Sequence, residues 1–211
     1  MRKKGLSLYG KELLEDIEKN LIAFKKQKKT KEKIKLLDIG VGNREKTKRY
    51  VELGFEVYGV DVHLEEGIDL DIEIKFIDIN KDNFPFQNNF FDVVVCTEVF
   101  EHLEDYHNSL KEISRIIKKN GLLIVSMPNV SSLLQRINFL FKAEFRKFEM
   151  PPEKYGHINP IPLYILKNRI ETFGFKIIKI SYIRNIIPIL RIKTFSSILF
   201  SDGLIVYAKK D

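Results

Sequence analysis

The chain has 211 residues, a formal net charge of +7 and one cysteine, Cys96. This length is read as one domain around one sizeable core, and a lone cysteine excludes an internal disulfide and suits a reducing compartment, the cytoplasm. No run of about 18 apolar residues predicts a bilayer-spanning helix, and the basic start Met1-Arg2-Lys3-Lys4 leads into no apolar signal-peptide core.

In chain order, Leu13, Leu14, Ile17, Leu21 and Ile22 recur at helical spacing and predict a helix over 9–24, within an N-terminal extension of residues 1–33. The lysines between Lys25 and Lys31 read as a solvated helix end, although the positive balance also allows an anionic partner. Leu36-Leu37-Asp38-Ile39-Gly40-Val41-Gly42-Asn43 follows, an apolar run with an acid at its end that turns on two glycines. A helical segment of about ten residues and a second run, Phe55 to Asp61, complete a strand–loop–helix–strand unit that places a nucleotide-type ligand at the first turn. Glu73 to Ile79 reads as a third strand, Phe90 to Cys96 as a fourth that is apolar almost throughout, and Gly121 to Met127 as a fifth. Between the last two, Leu110, Ile113, Ile116 and Ile117 form the apolar face of a helix over 105–119, stopped by Lys118, Lys119, Asn120 and Gly121.

The side chains at the first turn select among nucleotides. A dinucleotide fingerprint needs a third small residue at position 45, where this chain has Glu45. A carboxylate at that helix N-terminus repels a pyrophosphate, and Asp38 at the strand end suits a cation. No Gly-Lys-Ser/Thr follows the glycines, so a phosphate loop is absent. S-adenosylmethionine fits better, with a ribose and an adenine, a sulfonium and an ammonium, and no phosphate. Asp61, about twenty residues past the glycines, is placed to take both ribose hydroxyls.

With these elements the chain resembles the class I S-adenosylmethionine-dependent methyltransferases, most closely the small-molecule branch that includes ubiquinone-biosynthesis O-methyltransferases and methyltransferases of polysaccharide clusters. The matching segments are Asp38-Ile39-Gly40-Val41-Gly42, Val57-Tyr58-Gly59-Val60-Asp61, Phe91-Asp92-Val93-Val94, Glu98-Val99-Phe100-Glu101-His102-Leu103 and Leu122 to Asn129. Farther on, His157-Ile158-Asn159 leads into a helix over Pro162 to Thr172, then Gly174-Phe175, and Gly203 to Ala208 matches the last strand. The resemblance implies an α/β, doubly wound, Rossmann-like sheet of seven mostly parallel strands with the last one antiparallel and helices on both faces. It implies a donor held by Asp38, Ile39, Gly40, Gly42, Asp61, Val62, Asp78, Ile79, Thr97 and Glu98, with Asp78 on the adenine amino group and the Ile79 amide near the ring. Arg44 stands where the family usually has a third glycine, which sets a large cation beside the methionine end. Residues 130–160 and 186–200, apolar and basic, are expected to be insertions that cap the acceptor side.

Methyl transfer from a sulfonium is an in-line displacement, so the protein mainly orients the acceptor and excludes water. An oxygen acceptor also needs a base, and His102 and His157 are the candidate catalytic residues. The site is read without a metal, although Glu98, Glu101 and His102 are ligand types that could gather a divalent cation, as in some relatives. His63 and His107 read as surface residues and Cys96 as a buried small hydrophobe. The expected function is methylation, at oxygen, of a small-molecule, sugar- or lipid-linked acceptor by a cytoplasmic monomer or homodimer, with peripheral membrane contact through the two basic apolar segments. An RNA or protein methyltransferase rests only on the positive charge, and the Asn/Asp-Pro-Pro-Tyr element used on base amino groups is replaced by Thr97-Glu98-Val99-Phe100, which disfavours nucleic acid. A non-catalytic S-adenosylmethionine-binding module is the third reading, argued from Arg44.

Overall fold

The computed structural model describes residues 6–63, 68–146, 148, 156–187, 192–193, 195 and 197–211. Helix α1 (Leu8–Lys28) begins where the Ser7 hydroxyl accepts from the Gly10 amide at 3.1 Å, a side-chain N-cap. It continues past the predicted end because Lys25, Lys26 and Lys28 occupy its last turn, where cations complement the dipole. Then come β1 (Lys35–Ile39), α2 (Glu45–Glu52), β2 (Glu56–Asp61), β3 (Glu73–Phe76), β4 (Phe91–Thr97), a 3-10 turn (Phe100–His102), α3 (Tyr106–Ile116), β5 (Ile117–Pro128), α4 (Leu133–Lys142), α5 (Leu163–Thr172), β6 (Phe175–Ile187), β7 (Ile192–Lys193) and β8 (Ser201–Lys210).

The strands form one sheet in the order β3-β2-β1-β4-β5-β8-β6-β7. Strands β3, β2, β1, β4 and β5 pair in parallel, while β8 runs antiparallel to both β5 and β6. The seven expected strands and the reversed last one are present, and two-residue β7 adds an eighth against the end of β6. Order reverses between β1 and β4, the switch point where such sheets open a crevice at their C-terminal edge.

Side chains on a strand alternate between faces, and the core divides accordingly. Leu37, Val94, Cys96, Leu123, Val125 and Val206 pack with Leu110, Ile113 and Ile116 of α3 and Leu166 and Ile170 of α5. Their strand neighbours Leu36, Val93, Val95, Leu122, Ile124 and Ile205 pack with Leu13, Leu14, Ile17 and Leu21 of α1 and Tyr50 of α2. Burying each such side chain contributes roughly 1.5–3 kcal/mol, so the double winding is written in strands whose consecutive residues are apolar on both faces.

Two elements are shorter than predicted. Helix α3 stops at Ile116, and Ile117 already pairs with Phe91. Asn120 (φ 60°) sits within β5 where its register with β4 shifts between Phe91 and Val93, and a Cβ on Gly121 would lie 2.7 Å from the Ile117 side chain and 2.8 Å from the Lys118 carbonyl oxygen. The Lys118 ammonium is meanwhile held at 3.0 Å by Asp92, which also accepts from the Lys28 ammonium at 2.8 Å and the Lys35 amide at 3.1 Å. Strand β3 ends at Phe76, as an exposed edge strand with one paired neighbour can. Of the expected insertions, residues 147, 149–155, 188–191, 194 and 196 lie outside the described residues.

Candidate active site

The turn after β1 is built on its glycines. Gly40 adopts φ 77°, and a Cβ there would lie 2.6 Å from a methyl of Val99. Gly42, at φ 48°, donates its amide to Asp61 Oδ2 at 2.9 Å, while Asp61 Oδ1 accepts from the His63 amide at 3.1 Å. Asp61 thus braces the turn and faces the same crevice. Arg44 has the left-handed backbone (φ 62°) for which the family uses glycine. Its side chain turns away from the crevice and is 8% exposed, with Nε donating to the Ile68 carbonyl at 2.6 Å. The expected cation at the methionine end is therefore not Arg44.

Above the switch point lies a cavity of about 550 Å³. Its wall takes Ile39, Gly40 and Gly42 from β1 and its turn, Asp61 and Val62 from the end of β2, and Asp78 and Ile79 beyond β3. Thr97 and Glu98 at the end of β4 and His102 from the 3-10 turn complete it. Asp38 is the exception among the sequence-derived donor residues. It is fully buried, accepts from the Thr47 hydroxyl at 2.6 Å, and does not line the cavity. Burial pushes its carboxyl up to about 6, against the lowering effect of the nearby Lys46 ammonium and the Thr47 hydroxyl. Asp78 is held below the usual carboxylate range, chiefly by the Asn80 amide. Cys96 is fully buried, and burial pushes its thiol up, as a structural cysteine requires.

Glu98 has φ 56°, a conformation that costs a non-glycine residue energy and tends to persist where the surroundings enforce it. Two hydroxyls enforce it here. Oε1 accepts from Tyr9 at 3.0 Å and from Ser126 at 2.9 Å. The α1 extension is therefore tied to Glu98 at the cavity wall. Sequence reasoning missed this contact, which spans 89 positions, and it also missed Lys46, Asn80, Val99 and Leu103 in the wall. Lys46 carried one legible signal: it lies in the first turn of the helix that starts at the glycines. His63, read as a surface residue, is exposed and also lines the rim.

His102 Nδ1 lies 2.9 Å from the Gly156 carbonyl oxygen. A carbonyl only accepts, so Nδ1 carries the proton and Nε2 of the neutral ring keeps its lone pair. The His157 ring meets His102 edge-on at 4.7 Å but does not line the cavity. Both are placed by the 156–159 loop, whose Ile158 and Asn159 amides donate to the Glu101 carbonyl at 2.9 and 3.0 Å. Ligand-type atoms of Glu101, His102 and His157 lie within 4.8 Å of one another.

The sheet order, the glycine turn and an acid-walled crevice over the switch point define a class I methyltransferase, whose methyl donor is S-adenosylmethionine. The chain belongs to the methyltransferase domain family, whose model matches residues 9–180. It is similar to an uncharacterized protein of Methanocaldococcus jannaschii, 41% identical over 69 residues, which are 33% of this chain and 29% of that one. A ubiquinone biosynthesis O-methyltransferase of Pelagibacter ubique is 30% identical over 107 residues, 46% of this chain and 42% of that one. The chain thus spans less than half the length of these curated relatives. The fold is shared with the crystal structure of a SAM-dependent methyltransferase from Archaeoglobus fulgidus, at TM-score 0.70 and 20% identity, covering 94% of this chain and 93% of that one.

Proposed function

We propose that the chain moves a methyl group from S-adenosylmethionine to the oxygen of a small-molecule, sugar- or lipid-linked acceptor, with His102 as the general base. In this reading Asp61 takes the ribose hydroxyls, Asp78 and the Ile79 amide take the adenine, and Gly40, Thr97 and Glu98 flank the methionine end. The donor supplies an activated methyl on sulfur. The acceptor hydroxyl gives its proton to His102 Nε2, its oxygen forms the bond to the methyl carbon, and the S–C bond breaks with its electron pair left on sulfur. The observation that carries the reading is the Gly156 contact, which orients His102 at the cavity rim and leaves Nε2 as the accepting nitrogen of the neutral tautomer. The similarity to ubiquinone biosynthesis O-methyltransferases supports oxygen as the acceptor atom. His102→Ala is expected to lower kcat about 10²–10⁴-fold with S-adenosylhomocysteine affinity kept, and full activity in that variant would remove His102 from the mechanism.

A second reading is favoured by one observation, the closeness of Glu101, His102 and His157. A carboxylate with two imidazoles is a donor set for a divalent transition metal, and such an ion would acidify the acceptor hydroxyl. Glu98, the ligand the family resemblance suggested, is instead engaged by Tyr9 and Ser126. Loss of turnover on chelation, restored by added metal, would select this reading over the free base.

No described helix is long and apolar enough to cross a membrane. We place the protein in the cytoplasm, with α4 as a peripheral contact for a lipid-linked acceptor or its bilayer. Leu140 and Phe141 of α4 are 77% and 80% exposed, among exposed Arg136, Lys142 and Arg146.

A further inference from the structure

We propose that Lys46 recognises the carboxylate of the methyl donor's amino-acid end, a role that rests on the reading of the cavity as the donor site. Lys46 stands in the first turn of α2, where the helix dipole disfavours a cation. Its ammonium does not extend into solvent from there. It crosses the strand ends and donates to the Thr97 hydroxyl. Among the described residues of the wall it is the one ammonium. Arg44, the other cation of this turn, is committed to the Ile68 carbonyl.

The charges around the cavity divide by position. Asp61 and Asp78 stand along the ends of β2 and β3, and a carboxylate ligand is repelled there. Lys46 bonds to Thr97 at the end of β4, and Glu98 follows Thr97 in the chain and lines the same wall. One cation and one anion beside a threonine complement an α-amino acid zwitterion. The carboxylate then goes to Lys46 and the ammonium to Glu98, whose Oε1 is already oriented by Tyr9 and Ser126. The buried Asp38 carboxylate lies near the Lys46 ammonium but does not line the cavity, so on the cavity side the ammonium would oppose binding of a sulfonium. It favours binding only if the ligand presents a negative group of its own, and the methionine carboxylate is that group. The lysine accordingly selects donors that carry an intact amino acid.

Three ligands separate the parts of this claim in calorimetry. These are S-adenosylmethionine, its decarboxylated form, which lacks only the carboxylate, and 5′-methylthioadenosine, which lacks the whole amino acid. The wild-type protein is expected to bind S-adenosylmethionine at least about tenfold more tightly than the decarboxylated form, the size of one charge-assisted hydrogen bond. Lys46→Met is expected to bind those two within about twofold of each other, with methylthioadenosine affinity unchanged, which also reports that the variant is folded. Lys46→Arg should restore most of the preference. The proposal is overturned if Lys46→Met keeps the wild-type preference, or if its affinity for methylthioadenosine falls in parallel with that for S-adenosylmethionine. Failure of the wild type to bind any of the three would overturn the donor-site reading itself.

Discussion

The Tyr9 hydroxyl donates to Glu98 Oε1 at 3.0 Å and joins the first turn of α1 to the end of β4. Burial raises the Tyr9 phenol well above its ordinary value, with the Glu98 carboxylate adding to the effect, so it remains a donor at any physiological pH. The ring is seated against Gly203 of β8, where a Cβ would lie 2.1 Å from the phenol oxygen. Three elements far apart in sequence thus meet beside Glu98.

Tyr9→Phe keeps the ring and deletes the donor. It is expected to destabilise the protein by about 1.5–3 kcal/mol, the range for a hydrogen bond to a charged group, and to raise KM for the donor as Glu98 loses one of its two restraints. Urea unfolding and donor titration check both parts, and an unchanged midpoint would show that packing alone holds α1.

Asp61 braces Gly42 and His63 through their backbone amides and lines the cavity, where the proposed function gives it the ribose. Asp61→Ala is expected to weaken S-adenosylhomocysteine binding by at least about 1.5–3 kcal/mol. Calorimetry measures this, and unchanged affinity would count against the ribose assignment.

Asp38 makes stability depend on pH with an uncommon sign. Burial disfavours the anion and pushes its folded pKa up to about 6, above the ordinary carboxylate value. The folded state therefore binds more protons than the unfolded state between these values, and the Asp38 contribution falls as pH rises from about 4 to about 6. Asp38→Asn removes the charge and should be more stable than wild type at pH 7.5, by up to about 3 kcal/mol. The advantage should disappear below pH 4. Equal stability at both pH values would show that Asp38 is paired well enough to stay ionised without cost.

Helix α4 tests the surface. Ile137, Phe139, Leu140 and Phe141 are 45–80% exposed, and Glu144 is the one acid among residues 130–146. Co-sedimentation with anionic vesicles at low salt is expected, and it should weaken as salt screens the lysines and arginines. Leu140→Asp with Phe141→Asp should abolish it. An absence of binding at low salt would leave α4 to an acceptor pocket or a homodimer.

The sheet was legible because its information is local and repeated. Leu36 and Leu37, Val93 and Val94, and Leu122 and Leu123 are adjacent apolar pairs, which only a strand covered on both faces can bury. The Gly40 and Gly42 turn was legible because backbone curvature demands glycine there, and Asp61 was placed at the crevice by its position at the end of the second strand. Lys46, Tyr9 and the His102–Gly156 contact were not legible. An ammonium, a phenol and an imidazole can each serve a solvated surface equally well, and nothing local distinguishes the two uses. Arg44 read as an intruder in the site from sequence, and the fold alone directed its side chain to Ile68. Sequence by itself determined the class of fold and the strand ends at which the cavity opens, because periodicity and glycine sterics act over a few residues. Tertiary structure decided which polar side chains converge there, because that depends on how α1, α2 and the 156–159 loop pack across the sheet.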